Sequence, residues 1–134
     1  MNFTINTTQK QELLDITDKV NEILQKSKAK TGICNVFVTH ATAAIIINEN
    51  HDPNICIDLL NALNKSFPDN AGYLHDRIDG NAGAHIKAAI LGPGETIPIE
   101  NNKLKLGTWQ SLMLVELDGP RTDREIQVII LEQN

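Results

Sequence analysis

From Thr96 to the C-terminus, strand-like stretches follow one another with only short turns between them: Thr96 to Ile99, Lys103 to Leu106, Gln110 to Leu117 and Glu125 to Leu131. Strands joined this way run antiparallel, because a parallel neighbour needs a crossover of roughly a dozen residues or more. Gly119-Pro120 separates the last two. Upstream, strand and helix patterns are interspersed. The chain is therefore predicted to be an α/β fold, a single-domain α/β sandwich over 1–134 with a mixed, largely antiparallel sheet and about three helices.

Phe3, Ile5 and Thr7 alternate with polar residues as an amphipathic strand does. Ile16, Val20, Ile23 and Leu24 then repeat at helical spacing, with Asp15 or Thr17 as N-cap and Gly32 ending the region. Ile33 to His40 and Ala43 to Asn48 are rich in β-branched residues and read as strands. Asp52-Pro53 opens a helix whose apolar face is Cys56, Leu59, Leu60, Leu63 and Phe67, and Pro68 to Gly72 stops it. Tyr73, His75, Asp76 and Arg77 fall on a loop between Gly72 and Gly80. Asn81 caps a last helix, with Ala82, Ile86, Ala89 and Ile90 predicted to face inward.

Charge narrows the partners. Twelve Lys and Arg against 17 Asp and Glu give a net charge of -5, the wrong sign for a protein that holds a nucleic-acid backbone. Aromatic residues make up only 4% of the chain, which leaves few platforms for stacking bases. No apolar run approaches the roughly 20 residues of a membrane span, and the N-terminus lacks the basic start and apolar stretch of a secretory signal. No nucleic acid, no membrane and a cytoplasmic location are the expectations. Cys34 and Cys56 stand in no CxxC arrangement and read as reduced, buried thiols.

Three polar clusters interrupt the apolar elements. The first is Thr39-His40-Ala41-Thr42-Ala43, followed by Asn48-Glu49-Asn50. His40 shares a strand face with Val36 and Val38 and leaves the core where the strand stops, so its imidazole can bind a metal, move a proton or simply hydrogen-bond. The second is His75-Asp76-Arg77 with Gly80 to Lys87. Asn81 and His85 share a helix face, and the Gly80 to Gly83 amides can cap a helix or hold an anionic oxygen. His40, His75 and His85 have the donor types of an open zinc site, although their spacing matches no compact motif. The third runs from Gly107-Thr108-Trp109-Gln110 to Glu116-Leu117-Asp118-Gly119-Pro120-Arg121. Glu116 and Asp118 can serve as acid, base or cation ligands, or as a Glu116–Arg121 ion pair and a turn cap. Trp109 reads as a packing or interface anchor.

Thr39-His40-Ala41-Thr42-Ala43, Asn48-Glu49, Tyr73-Leu74-His75, Gly80 to Lys87, Leu106-Gly107-Thr108-Trp109-Gln110 and Glu116 to Arg121 together resemble, in order, the motifs of the YjbQ-like family. That resemblance implies an α/β sandwich-like fold, a homotrimer and a weak or secondary thiamine-phosphate synthase activity. Carried over by position, it implies a polar centre of His40, His75 and His85, with Asn48, Glu49, Asn81, Gln110, Glu116, Asp118 and Arg121 around it. Relatives often carry a second arginine two positions beyond that of Asp118-Gly119-Pro120-Arg121. Asp123 stands there in this chain and Arg124 follows, so no anion contact is carried over to that place.

The leading expectation is a transferase that joins a pyrimidine diphosphate to a thiazole phosphate and releases pyrophosphate. His40, Glu49 and Asp118 are its expected catalytic residues. Asn48, Asn81, Lys87, Gln110, Glu116 and Arg121 are expected to bind the small phosphorylated metabolite, and a divalent ion, zinc or magnesium, to neutralise charge. The alternatives are a metal-dependent hydrolase with His40, His75 and His85 as metal ligands, and a non-catalytic trimeric phosphometabolite-binding protein.

Overall fold

The computed structural model describes residues Met1–Asn134. Its elements are β1 (Asn2–Ile5), β2 (Glu12–Asp15), α1 (Thr17–Ser27), β3 (Thr31–Val38), β4 (Ala43–Asn48), α2 (Pro53–Ser66), α3 (Ala82–Leu91), β5 (Gly94–Glu100), β6 (Lys103–Leu104), β7 (Ser111–Glu116) and β8 (Arg124–Glu132), with a 3₁₀ turn at Leu74–Arg77. The strands form two sheets in the orders β1-β8-β3-β5-β6 and β2-β7-β4. Every pairing is antiparallel, so the expected α/β sandwich is present with its strands divided between two sheets and no parallel pair.

Alternation on β3 sends Cys34, Val36 and Val38 inward beside Ile126 and Val128 of β8 and Ile97 and Ile99 of β5. They meet Ala43 and Ile45 of β4, Leu112 and Leu114 of β7, and Val20, Ile23 and Leu24 of α1. The other face of the smaller sheet presents Ala44, Val115 and Leu117 to Ala84 and Ala88 of α3. β4 and β7 are thus covered on both sides. This is why Ala43 to Ile47 and Leu112 to Val115 are unbroken apolar runs.

Asp52 caps α2 as expected, its carboxylate accepting the Asn54 N–H at 2.9 Å. Helix α1 ends earlier than Gly32 suggested, because Lys28 adopts a left-handed conformation with φ 62° and donates its N–H to the Gln25 carbonyl. The inward face of α3 also differs. Ala82, Gly83, Ala84, Lys87 and Ala88 are buried, whereas Ala89 and Ile90 are exposed. The close approach of α3 to β4 selects the small residues Ala84 and Ala88, one turn apart, and turns the larger Ile90 outward. On the outer face of the larger sheet Ile33, Phe37, Ile129 and Leu131 remain exposed.

Candidate functional site

Where β3 ends, the chain is clasped to the start of β8. Thr39 donates its N–H to the Glu125 carbonyl at 3.2 Å, and the Glu125 N–H donates to His40 Nε2 at 2.8 Å. This holds the His40 ring opposite His85 of α3, and a cleft lies between them. Its apolar half, about 410 Å³, is walled by Ala43, Ala88, Ala89 and Pro93. Its polar half, about 420 Å³, is walled by Thr42, Asn81, Arg121, Thr122 and Arg124. His40, Ala41 and His85 line both halves and so mark the junction.

Beneath the polar half lies a buried ion pair. Arg124 Nε donates to Glu116 Oε1 at 3.0 Å, its Nη2 bonds Oε2, and the same nitrogen donates to Thr42 Oγ1 at 2.9 Å. Glu116 also accepts from the Thr7 hydroxyl at 2.7 Å and from the N–H groups of Leu117 and Asp118. Burial works against the Glu116 carboxylate, but the Arg124, Thr7 and Asp118 hydrogen bonds outweigh it and hold the group below its ordinary value near 4.5. Asp118 is treated similarly: burial opposes its charge, while Asn81 and Arg121 hydrogen bonds lower it. Arg121 Nη2 reaches Asp118 Oδ2 at 2.8 Å and its Nε reaches the Asp118 carbonyl at 2.9 Å. The expected Glu116–Arg121 pair is therefore replaced by Glu116–Arg124 and Asp118–Arg121. Between them Gly119 passes so close to the chain that a Cβ would lie 2.1 Å from the Gln9 carbonyl oxygen. Glu116 is wholly buried, a structural anion rather than a substrate contact.

His75, on the 3₁₀ turn, meets His85 edge to face with ring centres 4.8 Å apart. Together with His40 these are the predicted metal ligands, and the structure gathers them only in pairs. No three His, Cys, Asp or Glu side chains within the chain are disposed to hold a metal ion. Nε2 of His40 is already taken by the Glu125 N–H. The three imidazoles do not fit a metal within one chain. Asn81, expected to cap α3, bonds Asp118 Oδ2 instead at 2.9 Å, and Asp76 Oδ1 takes the Ala82 N–H at 2.9 Å.

Several predicted site residues lie elsewhere. Lys87 is fully buried and donates to Asn64 Oδ1 at 2.8 Å and the Phe67 carbonyl at 3.1 Å, with Asp69 at 3.4 Å. Two residues beyond His85, it points away from the cleft and ties α3 to the end of α2. Asn48, Glu49 and Gln110 sit at the far end of β4 and β7. Because Ala43 pairs with Glu116 and Asn48 with Ser111, the two ends are about 17 Å apart at roughly 3.3 Å per residue. Glu49 Oε2 accepts the Asp52 N–H, and Gln110 Oε1 accepts the Gly107 N–H, so both close local turns. Trp109 lies beside them, 62% exposed and edge to face with His51. Conversely Pro93 and Thr122, which belong to none of the three sequence clusters, line the cleft, as do Thr42 and Arg124. Only the repeated small residues near His40 and His85 hinted at an open wall there.

The family model for UPF0047 proteins of the YjbQ-like type matches residues 1–133. A UPF0047 protein of Methanothermobacter thermautotrophicus is 43% identical over 126 residues, which are 94% of this chain and 87% of that protein. YugU of Bacillus subtilis is 38% identical over 88% of this chain and 89% of its own length. Among solved structures, a YbjQ-like protein from Sulfolobus solfataricus superposes with a TM-score of 0.95 at 43% identity, covering 99% of this chain and 96% of that one. A YjbQ/UPF0047 protein from Clostridium acetobutylicum gives 0.93 at 43% identity, over 98% and 99%. With matches that run almost end to end, this chain belongs to the YjbQ-like UPF0047 family.

Proposed function

We propose that the cleft binds a phosphorylated heterocycle and performs thiamine-phosphate-synthase-like transfer. One observation carries this reading: an apolar half and a polar half with two arginines meet at a pair of imidazoles. A flat ring suits the alanine and proline wall. A phosphate or diphosphate suits Arg121 and Thr122, where the guanidinium group keeps free N–H donors beyond its two bonds to Asp118. In the reaction, the thiazole nitrogen lone pair forms the C–N bond to the pyrimidine methylene carbon. The carbon–oxygen bond to the diphosphate breaks, and its electron pair leaves with pyrophosphate. Donors that face the departing oxygen stabilise its growing charge. Magnesium enters this reading as the counter-ion of the diphosphate. The homotrimer belongs to it as well, with the exposed Ile33, Phe37, Ile129 and Leu131 stripe giving copies an apolar face to share.

Purified protein with the pyrimidine diphosphate, the thiazole phosphate and Mg²⁺ should form thiamine phosphate and pyrophosphate. In sedimentation it should run as three copies. Absence of product, with no thermal stabilisation by either substrate, would remove the transferase reading, and a monomer would remove the trimer.

A further inference from the structure

The geometry points to His40 as a hydrogen-bond donor of fixed tautomer, its proton held on Nδ1 and offered to a phosphoryl oxygen at the junction of the two half-clefts. This deepens the reading above and rests on it for the ligand. The tautomer itself rests on the fold. Thr39 and His40 grip both polar groups of one residue, the Glu125 carbonyl through the Thr39 N–H and the Glu125 N–H through His40 Nε2. A backbone amide never gives up its proton, so Nε2 is held as an acceptor and the neutral ring carries its hydrogen on Nδ1. Nδ1 finds no partner in the chain and is not among the buried unpartnered atoms, which are Asp76 Oδ2 and Asn81 Oδ1. It therefore opens outward, and the surface His40 lines is that of both half-clefts.

The consequence is a division of labour. His40 cannot accept a proton or a metal at Nδ1 while Nε2 faces an N–H, since that would set two donors against each other. What it offers the ligand is an N–H of fixed position, beside the small Ala41 and Ala43 on one side and Arg121 and Thr122 on the other. The group it suits is the oxygen that joins ring to phosphate, where charge develops when the diphosphate departs. His85 has no hydrogen bond at either nitrogen and is likewise absent from the buried unpartnered atoms, so its ring nitrogens are free to meet the ligand.

Two measurements test this. In ¹⁵N-labelled free protein at neutral pH, the His40 ring should show one tautomer, protonated on Nδ1; protonation on Nε2, or a mixture, overturns the assignment. Titration with inorganic pyrophosphate should then show His40→Ala binding about tenfold more weakly than wild type, for the loss of one hydrogen bond to a charged oxygen. His40→Gln should bind within about threefold of wild type, because its amide can accept from Glu125 and still donate to the ligand. A Gln variant as weak as the Ala variant, or wild type that binds no pyrophosphate, overturns the donor role. Intact pyrophosphate binding with no thiamine phosphate formed would sink the transferase reading and leave His40 as assigned.

Discussion

Arg124→Met is expected to lower stability by about 3–5 kcal/mol, the cost of leaving one partner of a buried ion pair charged and alone. At about 3 °C per kcal/mol for a domain near this size, the melting temperature should fall by roughly 10–15 °C. The reason is local. Arg124 supplies two of the five hydrogen bonds that Glu116 accepts, and Glu116 is fully buried, so its carboxylate would be left short of partners and shut off from water. A double variant, Glu116→Leu with Arg124→Met, should recover most of the loss, since replacing both charges with apolar groups removes the unpaired one. The same pair shapes the acid limb. With its folded value below about 4.5, Glu116 contributes stability that is fully present above that pH and is lost as pH falls through the folded value. Asp118 adds in the same direction. Acid denaturation of wild type should steepen below about pH 4.5, and Arg124→Met should flatten that limb. Thermal melts across pH 3–7 would show both effects; a wild-type stability that does not change on acidification contradicts the assignment.

In the proposed transfer, His85→Ala is expected to lower kcat by about 10²-fold, the low end for losing a donor that meets the charge developing on the departing diphosphate. Folding should be spared, because His85 is only half-buried on α3 and alanine favours a helix. Arg121→Ala should separate from it by raising KM for the diphosphate about tenfold or more, as expected when a charged hydrogen bond to the ligand is removed. Equal kcat in His85→Ala and wild type, with both folded, would take His85 out of the transition state. Asn48→Ala and Glu49→Ala should leave both constants within about twofold, since their turn sits about 17 Å from His40's end of β4.

How much of this was legible in the sequence depends on the element. Ala43 to Asn48 was legible to the residue, because burial on both faces writes a continuous apolar run. Helix α2 was legible from its Asp52-Pro53 cap. β2 was not, since Glu12 to Asp15 is four residues long and carries no alternation. The face of α3 was misread because Ala, Gly and a buried Lys87 hold the contact while Ile90 points outward, the reverse of what hydropathy suggests. For the site, His40, His85, Asn81 and Arg121 emerged together, each lying where a strand or helix ends at the same edge of the molecule. Asn48, Glu49 and Gln110 did not join them, because strand length puts residues a few places apart in sequence at opposite ends of a sheet. Arg124 was noted only as the residue after Asp123, and its pairing with Glu116 was not legible because the two stand on strands of different sheets, whereas the adjacent turn made Arg121 the obvious choice.

One cleft, with His40 and His85 at its waist, is proposed to hold ring and phosphate at once. The most direct measurement is a ¹H–¹⁵N NMR titration of the labelled protein with thiazole phosphate. The largest shifts are expected at His40, Ala41, Ala89, Arg121 and Thr122, with Asn48 to Asp52 and Trp109 nearly still. Shifts concentrated at Trp109, His51 and Glu49, with His40 and His85 unmoved, would contradict it.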